Sequence, residues 1–118
     1  MPQKIIFYET VGGNCPAAKF IQSQPERTQS KITATLEFIE NTDYPPHHIF
    51  QKMSGTRDLW EVRVRHDRNI YRLLCFFDGA QLIVITGAFQ KKTQKTSRQE
   101  IDTAEKRMND YFKRKKNL

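Results

Sequence analysis

Three charged side chains alternate along the run Leu59-Trp60-Glu61-Val62-Arg63-Val64-Arg65. On a strand, that spacing turns Glu61, Arg63 and Arg65 to one side and Trp60, Val62 and Val64 to the other. A fourth charge, Arg72, interrupts the otherwise apolar run Asn69-Ile-Tyr-Arg-Leu-Leu-Cys-Phe-Phe77, where a cation needs a partner or a site. A third run ends as Phe89-Gln90-Lys91-Lys92-Thr93-Gln94-Lys95-Thr96. Cations fixed on a rigid sheet beside a second basic cluster suit a substrate with closely spaced negative charges, and RNA is the leading candidate. Metal-independent RNA cleavage requires the 2′-hydroxyl to attack its neighbouring phosphate in line. One group accepts that proton, another stabilises the phosphorane charge, and a third protonates the leaving 5′-oxygen. Preorganised cations meet the second requirement, and one such donor is worth roughly 3 kcal/mol by analogy with oxyanion holes.

Each candidate has a plainer reading beside the chemical one. Arg72 can form a buried ion pair with Glu61 on the neighbouring strand or contact a phosphate, and both hold if Glu61 aims it. Glu61 as general base would need a raised pKa, which nearby arginines oppose by favouring its charged form, so it reads better as an orienter. Arg63 and Arg65 could serve solubility alone. Lys91, Lys92 and Lys95 read as a phosphate-positioning or partner-binding cluster ahead of plain solvated decoration. His66, in the turn after the basic strand, has a suitable unperturbed pKa, yet a lone turn histidine is more often a bystander. Trp60 and Phe89 read as core, although an aromatic at a strand end can stack a base. His47 and His48 have no third ligand near them, so no metal and no cofactor are expected.

The elements that must position these groups follow from patterning. Lys4–Glu9 is a short apolar strand, and Gly12-Gly13-Asn14 turns into a helix capped by Asn14 with Pro16 in its first turn. Pro25 opens a second helix carrying Ile32, Leu36 and Ile39, which Asn41-Thr42-Asp43 end. Three strands follow, 58–65, 69–77 and 81–89, the last two joined by Asp78-Gly79, a type I′ hairpin signal. Ser97-x-x-Glu100 is a capping box for a final helix with Ile101, Ala104, Met108 and Tyr111 on its apolar stripe. The expected order is β-α-α-β-β-β-α, an α+β fold with helices packed on one side of an antiparallel sheet.

A chain of 118 residues fits one domain, spanning 1–118, with a modest core. Its formal charge of +7 is concentrated: residues 91–116 hold ten Lys/Arg against four Asp/Glu. Such asymmetry points to a polyanionic or acidic partner. Cys15 and Cys75 lie far apart and read as reduced thiols. Without a signal-peptide core or a membrane-length apolar run, the protein is expected to be cytoplasmic, with no membrane partner.

The element order and several strings resemble the HigB-type toxins of bacterial type II toxin–antitoxin pairs, within the wider RelE/ParE superfamily. The matching pieces are Gly13-Asn14-Cys15-Pro16-Ala17 with Phe20-Ile21, Leu59-Trp60-Glu61-Val62-Arg63, Tyr71-Arg72-Leu73, and Phe89 to Ser97 followed by Glu100-Ile101-Asp102-Thr103-Ala104. The phage-associated branch carries an F-x-K-K-T-Q-K-T-P string with an E-I-x-x-A tail; here Ser97 replaces that proline. The resemblance implies a RelE-like fold and a ribosome-dependent endoribonuclease, an mRNA interferase that needs no metal. It also implies a helix-turn-helix, HigA-like antitoxin as partner beside mRNA and the ribosome. Arg63, Arg65 and Arg72 match the sheet-borne basic residues of RelE-like nucleases, and Lys91 or Lys92 the cation at the end of the last strand. Glu61 departs from the RelE pattern, which has lysine there, but fits the W-E-[LV]-R string of this branch. ParE-type relatives share the fold and poison DNA gyrase, so the fold alone leaves that target open. A non-catalytic basic nucleic-acid-binding module is the third reading.

Overall fold

Strand β4 (Asn69–Asp78) is apolar on both faces, and the architecture follows from that. The computed structural model describes residues 3–91 and 96–117. Around β4 lies a five-stranded sheet in the order β1-β5-β4-β3-β2, with β1 Lys4–Phe7, β2 Phe50–Lys52, β3 Trp60–His66 and β5 Leu82–Lys91. Helices α1 (Pro16–Gln22), α2 (Glu26–Glu40) and α3 (Arg98–Lys116) complete the α+β fold, which is compatible with the RelE-like class.

The helices cover both faces rather than one. Tyr71, Leu73 and Cys75 of β4 join Val62, Val64, Ile83 and Ile85 under α1 and α2, against Ala17, Ile32, Leu36 and Ile39. Leu74 and Phe76, pointing the other way, pack with Leu59 and Val84 against Ala104 and Met108 of α3. A two-sided apolar strand exposes its second face unless something covers it, and α3 does so over half its length.

Two further differences concern the sheet itself. The pairing β1–β5 is parallel, with Lys4 opposite Leu82 and Phe7 opposite Ile85, while the other pairings are antiparallel. Strand β2 is an addition to the expected order. It exists because Phe50 stacks on Trp60 at 4.8 Å and 22°, a tertiary contact that three residues of local sequence do not announce.

The turns also redistribute. Asp67 and Arg68 adopt φ of 49° and 69° between His66 and Asn69, which are paired, so the type I′ geometry falls on this two-residue turn. Asp78 pairs with Leu82, leaving a three-residue connection in which only Gly79 is left-handed. Cys15, not Asn14, occupies the N-cap of α1, and Pro25 is the N-cap of α2. Ser97 caps α3 as expected, its hydroxyl accepting from the Glu100 amide at 3.4 Å.

Candidate functional site

Because β3 and β4 are joined by a two-residue turn, Arg63 lies directly opposite Arg72, and Glu61 opposite Leu74, on the α3 side of the sheet. Two cations facing each other across a ladder repel. The sequence resolves this with Glu61, two residues along the same face. Its carboxylate accepts from Arg63 Nε at 2.7 Å, Arg72 Nη1 at 2.9 Å and Thr96 Oγ1 at 3.1 Å. Glu61 and Arg72 are only 2% and 3% exposed, so the pair sits in a low-dielectric setting. Burial alone would raise the Glu61 carboxyl; the hydrogen bonds and charges of Arg63 and Arg72 outweigh it and hold the group below the usual carboxylate range. Glu61 is therefore an anion with its lone pairs engaged, suited to fixing arginines and unsuited to taking up a proton near neutrality.

Arg63 belongs half to this network and half to the surface. Its side chain is 36% exposed, and its terminal nitrogens have no partner among the described residues. Arg65, one alternate position further, is exposed and likewise unpaired among the described residues. Phe89 is the cross-strand neighbour of Arg72 on the other side, half-buried against the α3-side core. Lys91 closes β5 with its backbone opposite Ile70, next to Arg65 in the ladder. Lys92 and Lys95, and the side chain of Lys91, lie outside the described residues.

His66 is not brought into this group. It is the last residue of β3 rather than a turn residue, and alternation places it with Trp60, Val62 and Val64 on the opposite face. Its Nε2 lies 3.3 Å from Asp67 Oδ2. Counting two positions on from Val64 shows the same parity in the sequence. Thr96 is the residue the sequence reading missed. Its signal is its place immediately before the Ser97 cap, where the chain must return to the sheet for α3 to begin. Among the described residues no cluster of three side chains suited to a metal ion occurs.

A second feature adjoins the first. Gly87 pairs with Leu74 and Ile85 with Cys75, so Thr86 is an extra residue that bulges β5. The Thr86 hydroxyl donates to the Leu74 carbonyl at 2.9 Å, and Arg107 of α3 donates from Nη1 to the Thr86 carbonyl at 3.0 Å. A Cβ at position 87 would come 2.7 Å from Arg107 Nη1, so glycine gives the guanidinium its path to the bulge. Between β5 and α3 this leaves a cavity of about 170 Å³ that reaches Phe89.

Arranged this way, the face can bind a phosphodiester and stabilise charge developing on it: one guanidinium is locked, the next is partly free, and a third is solvated. No helix among the described residues is long and apolar enough to cross a membrane. Comparison with known proteins adds an independent line. The family model described as phage derived protein Gp49-like (DUF891) matches residues 19–109, from α1 through most of α3. No curated protein matches the chain. Since that match takes in all of the sheet except β1 and far more than half of the sequence, the chain belongs to the Gp49-like phage-derived family, a family of RelE/HigB-type toxins.

Proposed function

We propose that this protein is the toxin of a type II toxin–antitoxin pair, an endoribonuclease that cleaves mRNA on the ribosome and so blocks translation. The supporting observation is the arrangement of the cross-strand arginines. Glu61 holds Arg63 opposite Arg72, and the half-exposed Arg63 keeps its terminal nitrogens without a partner among the described residues. A scissile phosphate meets those nitrogens. Arg63 and Arg65 contact its non-bridging oxygens, and Arg72, held by Glu61, keeps Arg63 in register. Lys91 supplies the further cation at the strand end, and Lys92 and Lys95 position flanking phosphates. The O2′–P bond forms as the P–O5′ bond breaks, leaving a 2′,3′-cyclic phosphate and a 5′-hydroxyl. The 2′-hydroxyl proton goes to a base and the 5′-oxygen receives one from an acid, and Glu61 performs neither transfer.

Tightly controlled expression followed by primer extension on cellular mRNA tests this. Growth arrest with cuts inside translated codons is expected. Arrest without cleavage, accompanied by stalled gyrase–DNA complexes, would replace the nuclease with the gyrase-poison reading. A helix-turn-helix antitoxin is the proposed partner, and the basic α3 and the cationic sheet face call for an acidic surface on it. An adjacent reading frame encoding such a protein, whose co-expression restores growth, is the expected result.

A further inference from the structure

Glu100 is a half-buried carboxylate on the wall of the cavity between β5 and α3, and among the described residues neither a hydrogen bond nor an ion pair occupies its oxygens. Arg107, two helical turns on, lines the same cavity with Nη1 engaged by the Thr86 carbonyl and its other N–H groups without partners among the described residues. Phe89 supplies an aromatic wall, Gly87 a floor with no side chain, and Thr103 a hydroxyl between the two charges. Phe89 is also the ladder neighbour of Arg72, and Arg72 of Arg63. The backbone of Phe89 on the cavity wall therefore lies about two strand spacings, roughly 10 Å, from that of Arg63, whose guanidinium is offered to the scissile phosphate.

An acceptor pair, a separate donor and a stacking surface in a space of about 170 Å³ describe complementarity to one flat, polar ring system. Of the four RNA bases, guanine alone presents two adjacent N–H donors, N1–H and N2–H, that a carboxylate accepts side by side. Its O6 and N7 accept from a guanidinium. Adenine and cytosine each offer a carboxylate one amino group, and uracil one imino group. We infer that this cavity is a guanine-selective nucleobase subsite, with Glu100 accepting from the Watson–Crick edge, Arg107 donating to the opposite edge and Phe89 stacking the ring. The inference rests on the RNA-cleaving reading, because it assigns the base to a nucleotide beside the one whose phosphate meets Arg63. Single-stranded RNA whose bases are splayed out is recognised through such edge contacts and aromatic stacking.

The test separates base binding from cleavage. Full-length protein is titrated with 2′-deoxy-substituted, uncleavable trinucleotides that carry guanosine, inosine or adenosine at one position, and with Glu100→Gln as the variant. Glutamine preserves the capping-box side-chain type, and circular dichroism verifies the fold. Guanosine should bind at least about tenfold more tightly than adenosine, since a good bidentate pair discriminates by that much or more. Inosine, which lacks the N2 amino group, should fall between them, and Glu100→Gln should abolish the ratio. In parallel, 5′-end mapping of cleaved mRNA should show guanosine enriched at one fixed position relative to the cut, and the enrichment should vanish in Glu100→Gln. Cleavage without guanosine enrichment, together with equal trinucleotide affinities, overturns the subsite and leaves the nuclease standing. Guanosine-selective binding that Glu100→Gln removes, with no cleavage, upholds the subsite and overturns the nuclease. A preference that survives in Glu100→Gln also overturns it, since the edge contact is then not what selects the base.

Discussion

Glu61→Gln isolates the carboxylate that bridges Arg63 and Arg72 at the centre of the site. The substitution keeps volume and one acceptor oxygen but turns an NH₂ group toward one of two guanidiniums, Arg63 or Arg72, which already face each other across the ladder. Removing one partner of a buried ion pair costs about 3–5 kcal/mol, because the remaining charge stays desolvated. Arg72, 3% exposed, is in that position. Arg63 is not: its side chain is 36% exposed and can swing toward water, so its share belongs near the small value of a screened pair. The expected loss is therefore about 3 kcal/mol, which a domain of ordinary stability survives.

Urea unfolding at pH 7 reads this as a lower midpoint with unchanged slope. The pH dependence supplies the sign. Glu61 has a folded pKa below its ordinary 4.5, so its stabilisation is complete above about pH 4.5 and disappears as pH falls through the lowered folded value. The gap between wild type and Glu61→Gln should then close in acid. Glu61→Leu combined with Arg72→Leu should recover much of the loss, since apolar residues replace buried ion pairs at little cost. A Glu61→Gln protein within about 0.5 kcal/mol of wild type, where harmless surface changes fall, or a gap that stays constant into acid, would refute the account of Glu61 as the anion that holds both arginines.

The remaining predictions divide function from stability. Arg63→Ala should lower the cleavage rate by about 10²–10³-fold, the effect of losing one preorganised donor, with little change in urea midpoint. Arg72→Ala should unfold the protein at markedly lower urea because it takes the buried one of two guanidiniums from the buried Glu61 carboxylate, leaving only the half-exposed Arg63 to balance its charge. Spectrophotometric titration should find one tyrosine, Tyr111, deprotonating near 12, since burial and its 2.7 Å hydrogen bond to Asp78 raise it. The associated stability is present below about pH 10 and lost as pH rises through 12, and Tyr111→Phe should remove that dependence at a cost of about 1 kcal/mol. Gly87→Ala should cost about 1 kcal/mol by pushing the flexible end of Arg107 off the Thr86 carbonyl, visible as a small shift in thermal midpoint.

Much of the fold was legible because single strands and helices announce themselves locally. The alternation in β3 gave the face of Glu61, Arg63 and Arg65, and the spacing Ile101, Ala104, Met108 gave the stripe of α3. Register was less accessible. That Arg63 faces Arg72 depends on the turn Asp67-Arg68, whose left-handed residues carry no glycine to advertise it, whereas the glycine-bearing Asp78-Gly79 proved to be a longer connection. The bulge at Thr86 had a signal, glycine at the next position of a strand, but its consequence for Arg107 required α3 to be in place. Strand β2 and the hydroxyl of Thr96 are purely tertiary: one follows from an aromatic stack, the other from where α3 begins.

That starting point sets the boundary between core and site. On the α3 face of the sheet, Leu74, Phe76 and Val84 meet Ala104 and Met108, and the apolar cover stops where the helix does, at Arg98. The next sheet positions outward, Arg72 and then Ile70 on β4, opposite Arg63 and Arg65 on β3, lie beyond the start of α3 and have no helix over them among the described residues. Ser97 fixes this limit by accepting the Glu100 amide, and the residue before it, Thr96, turns its hydroxyl onto Glu61. The same two residues thus end the helix and complete the coordination of the central carboxylate. Extending α3 by a single turn toward its N-terminus, about 5.4 Å, would carry the helix toward Arg63 and cover a guanidinium that Glu61 holds in place and that is now partly open to solvent. A cap at this position is therefore a condition for the chemistry as well as for the helix.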